Sequence, residues 1–215
     1  MAQEIANDAP DIVLDIASGT GDIALRLAAR MPANSKIIVS DICRPMLDIA
    51  RSKVQKAKAR KAKQGKAKVG KIKPPHADLN FQILDGHNLS ELADNSVDAY
   101  AISFAMKICE RNLILSEALR VLKPGGHFYC LEASHIPVLW LHKTYLKYMH
   151  WCVPIIARLA TGGDRSAHDY LLRGINDMPT QTVFCNELKH YGFTDVTYKN
   201  YSLGIVALHT AVKPL

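Results

Sequence analysis

The run Asp15-Ile16-Ala17-Ser18-Gly19-Thr20-Gly21-Asp22 constrains this chain more than any other stretch. It follows the apolar, β-branched Ile12-Val13-Leu14 and opens a segment with helically spaced apolar residues at Ile23, Leu25, Leu27 and Ala28. A strand, a tight glycine turn and a helix is the setting in which a glycine loop holds a nucleotide. Glycine is needed there because the backbone turns sharply and a ligand approaches where a Cβ would stand. Gly19-x-Gly21-x-x-Ala24 also fits the relaxed dinucleotide fingerprint, so the glycines alone leave the cofactor open.

The charges narrow it. Asp15 lies below the loop and Asp22 at the helix entry, where a pyrophosphate would be repelled and a ligand carrying a sulfonium and an ammonium attracted. The expected cofactor is therefore S-adenosylmethionine (SAM), held by Asp15, Ala17, Gly19, Thr20 and Gly21. Lys36 to Ser40 reads as a buried strand ending at Asp41-Ile42, about 20 residues past the loop, where a carboxylate accepts ribose hydroxyls. Phe81 to Leu84 reads as a third strand ending in Asp85-Gly86, placed for the adenine amino group. A single Asp at a strand end more often caps a helix or turn. Three acid-terminated strands behind one glycine loop favour the cofactor site.

A chain of 215 residues, 48% hydrophobic, suffices for one substantial α/β domain over residues 1–215. Its five cysteines show no C-x-x-C spacing and read as reduced thiols, and its nine histidines show no ligand spacing, so no metal is expected. The net charge of +7 misleads. Residues 51–73 hold eleven Lys/Arg and no acid, which leaves 16 basic against 20 acidic residues elsewhere. This basic insertion, about 51–75, has lysines all round a helix and ends at Gly70 and Pro74-Pro75. A solvated helix extension is the plain reading. The alternatives are an anionic membrane surface and nucleic acid, but no aromatic is interleaved to stack bases, and no nucleic-acid partner is expected.

The rest alternates β and α. Val97 to Phe104 reads as a fourth strand with Ser103, a further candidate cofactor contact, near its end, and Arg111 to Leu122 as a helix stopped by Lys123-Pro124-Gly125-Gly126. His127 to Glu132 is a fifth strand and Thr182 to Tyr191 a last helix. Phe193 to Lys199 and Leu203 to Val212 form two strands whose short link implies an antiparallel pair. Between the fifth strand and the last helix, about 136–178, lies an apolar, aromatic stretch whose longest uncharged run, Tyr148 to Ala157, is too short to span a membrane. The layout is that of a Rossmann-like class I methyltransferase: a seven-stranded, mostly parallel sheet ending in an antiparallel hairpin.

From residue 11 onward the sequence resembles the ubiquinone/menaquinone biosynthesis C-methyltransferases. The likeness rests on Gly21-Asp22, Asp94-Asn95-Ser96-Val97-Asp98, Ile102-Ser103-Phe104, Arg120-Val121-Leu122-Lys123-Pro124-Gly125-Gly126, Gly192-Phe193 and, most specifically, Gly204-Ile205-Val206-Ala207-Leu208-His209 after Tyr198-Lys199-Asn200. The wording Phe128-Tyr129-Cys130-Leu131-Glu132 looks like the eukaryotic, mitochondrial branch. The resemblance implies methyl transfer from SAM to a ring carbon of a polyprenyl benzoquinol. It also implies location in the mitochondrial matrix, peripheral to the inner membrane, as a homodimer or in a quinone-synthesis complex. The 136–178 insertion would be a lid or tail-binding wall, with Trp140, Tyr145, Tyr148 and Trp151.

Two departures stand out. After Ser103-Phe104 the family usually reads Gly, an aliphatic residue, Arg and Asn, whereas this chain has Ala105-Met106-Lys107-Ile108. Lys107 keeps the charge without the planar fork of donors, and Ile108 removes an amide. The chain also begins about one strand before the glycine loop, so the family's N-terminal helices are expected to be absent. Lys107 is the candidate cation for a phenolate, and His87 the candidate base, with Glu132, His135 and Tyr170 as further proton acceptors. The alternative readings are a catalytically weakened structural subunit of a quinone-synthesis complex and another small-molecule SAM methyltransferase.

Overall fold

The computed structural model describes residues 1–63, 76–138, 140–141, 143–145, 147 and 178–215. Successive residues of the central strands alternate between two cores, so that those two apart share one. Leu14, Ile16, Tyr100, Ile102, Phe128 and Cys130 pack with Ile114, Leu115, Ala118, Phe184 and Leu188 on one face of a sheet. Val13, Ile37, Val39, Ala99, Ala101 and Tyr129 pack with Ile5, Ala24, Leu27, Ala28 and Leu47 on the other. A sheet buried on both faces is what parallel strands with helical crossovers require.

The strands are β1 (Ile12–Ile16), β2 (Lys36–Ser40), β3 (Asp78–Gln82), β4 (Val97–Ser103), β5 (Leu122–Ala133), β6 (Thr194–Tyr201) and β7 (Val206–Val212). Their order in the sheet is β3-β2-β1-β4-β5-β7-β6, parallel from β3 to β5 and antiparallel across β5-β7-β6. The expected seven-stranded, mostly parallel sheet with its antiparallel end is the sheet observed. Strand order reverses between β1 and β4, and the crevice above their carboxyl ends is where such sheets bind ligands.

The helices are α1 (Ala2–Asn7), α2 (Asp22–Ala28), α3 (Arg44–Lys63), α4 (Arg111–Val121) and α5 (Gln181–His190). α1 was not anticipated. It buries Ile5 completely, and Glu4 accepts hydrogen bonds from Lys199 and Tyr201 at 3.1 Å, which ties the first turn to β6. α3 spans 20 residues, about 30 Å, and as a crossover between parallel strands it runs back toward their amino ends. It buries Leu47, Ala50 and Val54. Its basic part begins within the described helix. The rest of the basic insertion and most of the 136–178 insertion, with Tyr148, Trp151 and Tyr170, lie outside the described residues. Among the described residues no helix is long and apolar enough to cross a membrane.

Two elements differ from the sequence expectation. β3 starts three residues before Phe81 and ends two before Leu84, because pairing follows the five residues of β2 from Lys36↔Asp78 to Ser40↔Gln82. Ile83 and Leu84 continue past the sheet toward Asp85, which bridges to Asn88. Lys123-Pro124-Gly125-Gly126 does not separate α4 from the fifth strand but belongs to it. β5 starts at Leu122, opposite Val97, and absorbs the turn as a register shift before His127 pairs with Ala99.

Gly21 joins the glycine loop to the fold. Its φ is +75°, and a Cβ there would lie 2.8 Å from the Ala50 Cβ of α3. Gly19, at φ +54°, would place a Cβ in open space. Gly21→Ala is therefore expected to cost roughly 2–4 kcal/mol from left-handed strain and overpacking together. Gly19→Ala should cost only the strain, about 1–2 kcal/mol. Denaturant midpoints of the two variants check this, and equal losses would refute the packing role of Gly21.

Candidate active site

The loop between β1 and α2 is wound by three left-handed residues, Ala17 (φ 50°), Gly19 and Gly21. Ala17 does so with a Cβ, a strain characteristic of functional loops. Two neighbours fix the winding. The Ser18 amide donates to the Ser40 carbonyl at 2.9 Å, and the Gly19 amide donates to Asp41 Oδ2 at 2.8 Å. Asp41 Oδ1 accepts the Cys43 amide at 2.8 Å. One carboxylate thus binds the glycine loop to the start of α3, and each oxygen keeps a lone pair for a ribose hydroxyl. Ile42, 69% exposed beside it, offers an apolar surface to a base.

Beneath the loop, Asp15 shares the pleat face of Val13 and is fully buried. Neither carboxylate oxygen has a hydrogen-bond partner. Burial pushes its carboxyl up to about 7. The Ala24 amide draws it partly back without reaching hydrogen-bond geometry, and the Asp41 charge adds to the rise. An orphaned buried carboxyl under a glycine with an open side is the arrangement a cationic ligand completes.

Asp22 does not share that role. Its Oδ2 accepts Lys53 Nζ at 2.8 Å, and Lys53 also donates to Thr20 Oγ1 at 2.7 Å. The Lys53 hydrogen bond holds the Asp22 carboxyl below its usual range. The charge complementarity read from Asp15 and Asp22 together therefore rests on Asp15 alone. Lys53 was missed because it sits within a run of lysines, where nothing in the sequence separates a clamp from a solvated charge.

Asp85 lies past β3, as expected, but one oxygen is engaged. Oδ1 accepts the His87 amide at 3.0 Å and pairs with His87 Nδ1 at 2.8 Å, and the amide bond is the main cause of its lowered pKa. The other ring nitrogen, Nε2, accepts the Glu110 amide at 3.1 Å. With both nitrogens occupied, His87 would have to give up a backbone bond before taking a proton. Gly86 is closed in by Ile16 and Ile114.

Beyond β4 the chain turns at Ser103-Phe104 into a 3-10 turn, Met106–Ile108. Lys107 was expected to face the acceptor. The structure instead buries its side chain to 4% exposure against Glu132, which is fully buried. Nζ donates to Glu132 Oε1 at 2.9 Å and to the Phe104 carbonyl at 2.5 Å. Glu132 Oε1 also accepts the Ala133 amide at 2.7 Å. A buried cation keeps its charge only by such pairing. His135, at the end of β5, pairs through Nε2 with the Met178 carbonyl at 2.9 Å. Among the described residues no cluster suited to a metal ion occurs.

Residues 1–213 match the ubiE/COQ5 methyltransferase family. The chain belongs to that family. The Ubiquinone/menaquinone biosynthesis C-methyltransferase UbiE of Rickettsia bellii is 37% identical over 205 residues, which cover 94% of this chain and 75% of that protein. Among solved structures, a SAM-dependent methyltransferase from Aquifex aeolicus has the same fold, with TM-score 0.64 at 14% identity over 99% of this chain and 89% of its own. So does phosphoethanolamine N-methyltransferase 2 of Haemonchus contortus, solved with S-adenosyl-L-methionine, with TM-score 0.62 at 16% identity over 100% of this chain and 52% of its own. The chain is a SAM-dependent C-methyltransferase.

Asp41→Asn keeps the shape but can accept only one of the two amide bonds. Its affinity for SAM should fall about tenfold or more, from a loosened loop and a weaker ribose acceptor. Titration calorimetry checks this, and unchanged affinity would refute the placing of Asp41.

Proposed function

We propose that this protein transfers the methyl group of SAM to a ring carbon of a polyprenyl benzoquinol in quinone biosynthesis. One observation carries the reading: the glycine loop over the orphaned Asp15 shares one rim of the sheet with exposed apolar residues, Ile42, Ile83, Phe104, Ile108 and Leu203. These lie where the carboxyl ends of β1 to β5 meet the start of β7. SAM supplies the electrophilic methyl. The chain's own residues orient the two reactants and exclude water, and an ionised phenol on the acceptor makes its ring carbon nucleophilic. The relatives' names cover both ubiquinone and menaquinone, and the eukaryotic wording of β5 supports the benzoquinol.

The same rim supports peripheral attachment to the membrane that holds a polyprenyl tail. We place the protein on the matrix side of the mitochondrial inner membrane, with the 136–178 insertion as tail wall. Burial of Lys107 and loss of the amide at Ile108 favour a second reading, a structural subunit of a quinone-synthesis complex.

Incubation with methyl-labelled SAM and short-tailed benzoquinol or naphthoquinol, kept reduced under argon, separates the readings. Labelled methylbenzoquinol formed faster than methylnaphthoquinol is the expected product. SAM binding without transfer to either ring would overturn the proposal in favour of the subunit.

A further inference from the structure

Phe104 is held in a way its sequence position does not require. Its backbone is left-handed, at φ 55°, a conformation that costs a bulky residue energy unless its surroundings impose it. Both of its backbone polar groups are fastened. The amide donates to the Leu131 carbonyl of β5 at 2.9 Å, and the carbonyl accepts Lys107 Nζ at 2.5 Å. The same ammonium lies 5.5 Å from the centroid of the Phe104 ring. Lys107 is anchored in turn by the buried Glu132. A buried ion pair, a strained backbone and two hydrogen bonds all converge on one aromatic residue. That residue is 48% exposed, at the carboxyl end of β4 beside the strand-order reversal.

We propose that Phe104 is the platform on which the acceptor ring stacks, and that Lys107 and Glu132 are the positioning residues that set its plane and polarise it. The inference rests on the quinol reading above. A ring face carries negative charge and attracts cations. With the Lys107 ammonium held near the ring, electron density is drawn toward it and the exposed side becomes less negative. Such a surface suits an electron-rich quinol better than a second cation, so Phe104 selects the acceptor rather than the cofactor sulfonium. This also accounts for a cation at position 107 that does not face solvent. Its charge acts on the acceptor through the Phe104 ring, while its buried partner prevents it from swinging out.

The test uses the full chain saturated with S-adenosylhomocysteine and titrated with short-tailed benzoquinol under argon, alongside steady-state kinetics with SAM. Phe104→Leu removes the π surface and keeps apolar bulk, and Phe104→Tyr restores the ring. Phe104→Leu should raise the quinol Kd and KM about tenfold, with kcat falling less than KM rises and SAM affinity unchanged within about twofold. Phe104→Tyr should return quinol affinity to within about threefold of wild type. Lys107→Met with Glu132→Gln, which removes both buried charges together, should weaken quinol binding while SAM still binds.

Unchanged quinol affinity in Phe104→Leu, with wild-type turnover intact, overturns the platform and leaves the quinol function standing. An equal loss of SAM and quinol affinity assigns Phe104 to the cofactor and overturns the proposal as well. A wild-type protein that binds SAM but neither benzoquinol nor naphthoquinol overturns the function itself, and the platform with it.

Discussion

Everything at the site depends on how the chain leaves β1. Within five residues it must pass from the buried end of β1 to the start of α2, and it does so by setting Ala17, Gly19 and Gly21 in left-handed conformations. Such a loop does not hold itself. Asp41 grips it from β2, Lys53 from α3, and the Ser40 carbonyl takes the Ser18 amide. Each of these contacts presupposes that β1 and β2 are paired in their observed register, with Asp15 opposite Val39. Sheet pairing, loop winding and cofactor geometry are therefore one event.

Beneath that loop the fold accepts a liability. Asp15 follows the inward pleat position of Val13, where an apolar side chain would pack well. Its folded carboxyl is raised from 3.8 to about 7. A raised carboxyl pKa means that stability is fully present below about 3.8, declines as pH rises, and levels off above about 7. The shift corresponds to about 4 kcal/mol against the ligand-free fold at alkaline pH. A cationic ligand would relieve that cost, and a pyrophosphate would not. The turn after β4 shows the opposite solution. Lys107 and Glu132 are also buried, but each is the other's partner, and their charges hold the turn after β4 in place.

The sequence made the glycine loop and its flanking elements legible because their determinants are local. A β-branched run, a glycine turn and helical spacing announced β1, the loop and α2, and Asp41 followed from strand length. The sheet was legible for a similar reason, since the short link between the last two strands admits only an antiparallel pair. What stayed hidden depends on pairing between distant segments. β3 is placed by the five residues of β2 rather than by its own apolar run, and Leu122 to Gly126 becomes strand because Val97 offers a partner. α1 is fixed by Glu4 meeting Lys199 and Tyr201 almost two hundred residues away. The neutralisation of Asp22 by Lys53 and the burial of Lys107 against Glu132 are likewise contacts between residues 25 or more positions apart. The motif showed that charges were present. It could not show which of them were already paired.

The central claim is that the cofactor site is built around a carboxyl held without a partner until a cation arrives. Its most direct test is the titration of Asp15 by carbon-13 NMR, assigned through Asp15→Asn, in the ligand-free protein and in the SAM complex. The account predicts a carboxyl that titrates near pH 7 when free and at distinctly lower pH once SAM is bound. A free-protein carboxyl that titrates near 4, unchanged by SAM, would contradict it.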